Sequence, residues 1–80
     1  MAATRQDVDR WIATAKRDGY KYIVSVCDTW DYDDYPVRCR NEEELSEAII
    51  KYNGQNMQHI NEIIKIDGDI VTENFKLDNI

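Results

Sequence analysis

Tyr20-Lys21-Tyr22-Ile23-Val24-Ser25-Val26-Cys27 is the stretch on which the fold turns. Tyr22, Ile23, Val24 and Val26 are aromatic or β-branched and occupy both faces of an extended chain. Such a run predicts a central strand, covered by helix on at least one side. Upstream, Thr4-Arg5-Gln6-Asp7 reads as a capping-box variant in which the Thr4 hydroxyl accepts a backbone N–H. Val8, Trp11, Ile12 and Ala15 follow at helical spacing, Lys16 and Arg17 suit a helix C-terminus, and Gly19 can take the left-handed position that stops it.

Downstream, Tyr35 to Arg40 reads as the partner strand, with Val37 and Cys39 inward and Arg38 and Arg40 outward. Pro36 has no N–H to give a ladder, so this strand starts there or lies at an edge. The two strands form a hairpin whose long loop is the acidic segment. If Asp28 stands opposite Tyr35, Cys27 faces Pro36. Asn41-Glu42-Glu43-Glu44 is a helix start, with Leu45, Ala48, Ile49 and Tyr52 as the buried stripe and Asn53-Gly54 as the stop. Met57 to Ile66 reads as a strand with Ile60, Ile64 and Ile66 on one face and Ile63 on the other. Asp67-Gly68 signals a tight hairpin, returning as a strand from Asp69 to Phe75 before a fraying tail, Lys76 to Ile80. The expected order is α-β-β-α-β-β: a single α+β domain over residues 1–80, with two helices packed on one face of a mostly antiparallel sheet.

The chain has 80 residues, sixteen acids against ten bases and a formal charge of −6. That charge repels phosphate backbones and anionic lipid, which argues against direct nucleic-acid or membrane binding and for a basic protein surface as partner. The bases are scattered; Arg38 and Arg40 are the tightest pair on a strand. Two cysteines make no disulfide framework, and no apolar run reaches membrane length, so the expected location is cytoplasmic.

Four carboxylates and three large aromatics fall between Asp28 and Tyr35: Asp28, Trp30, Asp31, Tyr32, Asp33, Asp34 and Tyr35. Trp and Tyr concentrate at interface hot spots, and flanking acids steer a surface toward cations. With Glu42 and Glu43 of the following helix start, Asp28, Trp30, Asp31, Tyr32, Asp33 and Asp34 are the expected partner-binding residues. Half of the acids lie between Asp28 and Glu47. The bland alternative is a solvated turn whose Trp30 and Tyr35 cover the hairpin end.

Asp31, Asp33 and Asp34 also loosely resemble a calcium loop, but the turn glycine and the distal glutamate are missing. Cys27 or Cys39 with His59 and a carboxylate could make a zinc site, although no closely spaced ligand pair exists. Buried cysteines that act as small hydrophobes explain the same residues. No resident cofactor is expected, and a divalent ion stays an alternative. Catalysis has little to stand on: there is no G-x-S-x-G, no phosphate-cradling glycine loop and no H-E-x-x-H. Cys27 and His59 would pair as nucleophile and base only if the first and third strands bring them together. The chain is therefore read as a non-enzyme.

The string Cys27-Asp28-Thr29-Trp30-Asp31-Tyr32-Asp33-Asp34-Tyr35-Pro36-Val37 resembles the core of a family of small phage and prophage proteins. Thr4 to Ile12 resembles that family's start, and Tyr52 to Gln58 with Glu62-Ile63 resembles a later block. By size, charge and source, small acidic phage proteins of this type resemble counter-defence inhibitors, including anti-CRISPR proteins. The resemblance implies an inhibitor of a host nucleic-acid-handling defence complex, a CRISPR effector nuclease above all, acting in the cytoplasm of an infected bacterium. The alternative expectation is a metal- or small-ligand-binding domain, such as a sponge for a signalling nucleotide held by Arg38 and Arg40. A minor enzyme or a virion accessory protein stands behind both.

Overall fold

The computed structural model describes residues 4–30, 33–53 and 57–75. The order is α1 (Arg5–Asp18), β1 (Tyr22–Asp28), β2 (Asp33–Cys39), α2 (Glu42–Tyr52), β3 (Gln58–Asp67) and β4 (Ile70–Glu73). The strands form one antiparallel sheet in the order β2-β1-β3-β4. The α+β class and the α-β-β-α-β-β order are thus present as the sequence predicts. No helix among the described residues is long and apolar enough to cross a membrane.

Local chemistry sets each helix end. Thr4 and Asp7 form a reciprocal capping box at the start of α1. Hydrogen bonding to Thr4, the backbone N–H first, holds the Asp7 carboxyl below the usual carboxylate range. Gly19, at φ 82°, closes α1: its N–H reaches back to Lys16 O, while Tyr20 N–H donates to Ala15 O at 2.9 Å. This double closure is a Schellman motif, and only a residue that tolerates the left-handed region makes it cheaply. Asn41 caps α2 by accepting from Glu44 N–H at 2.9 Å. The expected Gly54 stop and the Lys76–Ile80 tail lie outside the described residues.

β1 is the centre, with Tyr22 through Cys27 buried. Alternation sends its side chains to two different layers. Tyr22, Val24 and Val26 pack with Leu45, Ala48 and Ile49 of α2, and with Cys39 and Ile63. Ile23 packs with Ile12 and Ala15 of α1, and with Ile64 and Ile66. The two helices therefore cover opposite faces of the sheet, not one face as the sequence predicts. A strand apolar on both faces needs a lid on each, and each helix supplies one apolar stripe.

The second correction lies in β3. Ile60 belongs with Ile63 on the α2 face, while Ile64 and Ile66 face α1. Strict alternation had grouped Ile60 with Ile64 and Ile66. The β1–β3 register steps from Ser25↔Glu62 to Val26↔Ile60, so Asn61 is the extra residue of a β-bulge. One inserted residue turns everything before it to the other face.

The third correction is the first hairpin. β2 begins at Asp33, with Asp28 opposite Asp33 and Cys27 opposite Asp34. Only residues 29–32 are left to connect the strands, so Asp33, Asp34 and Tyr35 are strand residues and not part of a long loop. Pro36 sits inside β2, which its place at the sheet edge permits. The last hairpin is present, with Gly68 and Asp69 as its two loop residues and Gly68 at φ 61°. That suits the first central place of a type II′ turn, one residue later than the Asp67-Gly68 signal.

Candidate functional site

The acidic, aromatic residues that attract attention in the sequence divide between the two ends of the sheet. At one end, β1 closes on Asp28, whose Oδ1 accepts from Trp30 N–H at 2.9 Å. Thr29 points the other way: its N–H and its hydroxyl both donate to the Met57 carbonyl, at 2.7 and 2.5 Å. The hairpin tip is thereby tied to the entry of β3, where Met57 adopts φ 63°. Trp30 is 73 % exposed and Met57 54 % exposed on this tip. Two large apolar side chains left in water at the same end of a small domain mark a contact surface more often than lone ones do.

Two more acids lie at this end of the sheet. Asp33 is exposed and faces Asp28 across the ladder; Asp34 is half-buried and accepts from Asn61 Nδ2 at 3.0 Å. Asn61 is the bulged residue, so the bulge reaches across β1 to orient an acid of β2. Tyr35 plays a packing role: its ring meets Tyr52 edge-on at 6.3 Å, and its hydroxyl accepts from Gln58. Burial raises its phenol above the ordinary range. Asp31 and Tyr32 lie outside the described residues.

Glu42 and Glu43 are elsewhere. They begin α2, which follows the far end of β2. Six residue steps of β2 separate that end from Asp33, about 20 Å at about 3.3 Å per residue. The acidic run that looks continuous in sequence is thus two separate patches. Glu42 Oε1 instead accepts from the hydroxyl of the buried Tyr22 at 3.5 Å. Burial first, then the Glu42 charge, raises the Tyr22 phenol.

Cys27, Asp34 and His59 form a row across β2, β1 and β3, since Cys27 is the register partner of both others. The first and third strands do bring Cys27 and His59 together. The environment works against a nucleophile, however: burial, then the hydrogen bond and charge of Asp34, raise the Cys27 thiol. A raised thiol stays protonated at neutral pH, and the thiolate is the reactive form. Cys39 is buried on the other face, five steps along β1 from Cys27's position, and its thiol is pushed up to about 11 by burial and Glu44. The separation, about 16 Å at about 3.3 Å per residue, is far beyond disulfide reach. Among the described residues, no group of three or more His, Cys, Asp or Glu is arranged to hold a metal ion.

Arg38 and Arg40 do not make a joint cationic site. Arg38 is exposed on the edge strand, and the Arg40 guanidinium lies 5.3 Å from the Tyr20 ring centroid. Lys16, Lys21 and Lys65, in contrast, all line one groove at the Tyr22 end of the sheet. Sequence reading missed them because 49 positions separate Lys16 from Lys65. Only the Tyr22↔Lys65 register unites them.

No protein-family model, curated protein or solved structure matches this chain.

Proposed function

We propose that this chain is a phage-encoded binding protein that inhibits a host nucleic-acid-handling defence complex, an anti-CRISPR-type protein that engages a Cas effector nuclease. The observation that supports this reading is that Trp30 and Met57 are both exposed at the end of the sheet that carries Asp28, Asp33 and Asp34. A nucleic-acid-binding groove is lined with lysine and arginine, and a −6 protein presenting carboxylates is attracted to it. Trp30 supplies the apolar anchor that converts this non-specific attraction into a defined dock. The contact surface in this proposal is centred on the hairpin end, with Asp28, Trp30, Asp33, Asp34 and Met57; Glu42 and Glu43 form a second acidic patch about 20 Å away.

The test is capture of Cas effector complexes by the purified protein across a salt series. Trp30→Ala should weaken capture by about 2 kcal/mol, the scale of an interface hot spot. Asp28→Asn with Asp33→Asn should flatten the salt dependence. Absence of capture, or capture unchanged by both variants, would refute the reading.

A second reading, a small-ligand-binding domain, is favoured by the lysine-lined groove.

A further inference from the structure

At the end of the sheet away from Trp30, the glycine cap of α1, the start of β1 and the β3–β4 turn meet around a groove of about 620 Å³. Three lysines are among the residues that line it, from three pieces of chain: Lys16 from the last turn of α1, Lys21 from the connection into β1, and Lys65 from β3. In a chain of charge −6, the gathering of three of its ten bases in one concavity runs against the overall field. Among the described residues, none of the three is in an ion pair. Lys65 lies instead over the Phe75 ring, 5.2 Å from its centroid. Like charges around a shared cavity repel, and a polyanion in the cavity relieves that repulsion.

The rest of the lining has a different character. Tyr20 contributes a half-buried ring, with the Arg40 guanidinium 5.3 Å from its centroid, and Asp67 and Asp69 flank Gly68 in the turn. The groove therefore offers cations, an aromatic ring and carboxylate acceptors together. Its volume lies within the roughly 300–1,000 Å³ usual for small-ligand pockets.

We propose that this groove binds a small phosphate-bearing ligand of mononucleotide size. Lys16, Lys21 and Lys65 meet the phosphate as three point charges, a role to which lysine is suited. Tyr20 lies against the ring, and the Asp67–Asp69 turn accepts hydrogen bonds from base N–H groups. Neither Arg38 nor the Trp30 tip takes part. The site lies six steps of β1 from the tip, about 20 Å, so it stands or falls independently of the inhibitor reading.

The test is an amide NMR titration of the full chain with AMP and with GMP at low salt, with adenosine as the phosphate-free control. Saturable shifts are expected at Lys16–Tyr22 and Lys65–Asp69 with at least one nucleotide. Lys16→Gln with Lys21→Gln should weaken that binding about tenfold or more, as loss of two direct charge contacts to a phosphate predicts. Both side chains are exposed, so this variant should keep its fold, which its amide spectrum checks directly. Lys65→Gln, which also removes the contact with Phe75, should weaken binding further. The proposal is overturned if neither nucleotide gives saturable shifts up to about 10 mM, a Kd too weak for a built site. It is equally overturned if the folded Lys16→Gln/Lys21→Gln variant binds as the parent does, or if adenosine binds as well as AMP.

Discussion

Thr29 donates twice to one acceptor, the Met57 carbonyl, through its backbone N–H and its hydroxyl. This pair of bonds crosses from the first hairpin to the mouth of β3 and ties the residue next to Trp30 to Met57. Their exposure together is a consequence of how the backbone is tied, since neither side chain is held by a core.

Thr29→Val removes the hydroxyl donor and leaves the N–H in place. The loss should be about 0.5–1.5 kcal/mol in urea unfolding, the net worth of one hydrogen bond. The tip should loosen more than the body of the sheet. Hydrogen exchange at Thr29 and Trp30 should accelerate, while Ile23 and Val24, both fully buried, should keep their protection. Equal acceleration everywhere would show that the bond supports the whole fold and not the tip.

The two core layers give a prediction about additivity. Ile49 belongs to the α2 face and Ile64 to the α1 face. Ile49→Val and Ile64→Val should each cost about 0.5–1.5 kcal/mol. Their double variant should cost the sum to within about 0.5 kcal/mol, because residues without shared partners add. A double-mutant cycle by urea denaturation reads this directly. Coupling well above that margin would mean that the layers communicate through β1.

Alkaline pH should weaken the fold through Cys39. The folded thiol titrates at about 11 against an ordinary value of 9.0. Between those values the folded state holds the proton and the unfolded state releases it, so stability falls as pH rises. The contribution is intact below about pH 9 and is lost as pH rises through about 11, with Tyr22 and Tyr35 shifted in the same direction. Cys39→Ala should flatten the decline in urea midpoint between pH 8 and pH 11, although it lowers the midpoint throughout by leaving a cavity. At pH 8, iodoacetamide should label neither Cys27 nor Cys39 readily until urea is added. Fast labelling of the native protein would contradict the burial of both thiols.

The helices, their caps and the central strand were legible in the sequence because their causes are local. The Thr4–Asp7 box, the Gly19 stop and the Asn41 cap act within a few residues, and the structure contains each of them. The place of Trp30 at a hairpin tip was legible for a similar reason, since residues 28–35 lie between two strands; its exposure was not. The boundaries of that tip were not: Asp33 and Asp34 carry no strand propensity of their own, and pairing with Asp28 and Cys27 places them in β2.

What remained was decided by contacts between distant segments. The face each helix covers depends on the path taken between layers, which no single amphipathic stripe records. The facing of Ile60 depends on the Asn61 bulge, which exists only against β1. The separation of Glu42 and Glu43 from the hairpin acids follows from the length of β2, and the convergence of Lys16, Lys21 and Lys65 follows from the β1–β3 register. The sequence by itself determined which segments are helix and strand, because hydrogen bonding and side-chain period act over a few residues. The tertiary structure alone decided which charges meet, because that depends on how strands far apart in the chain align.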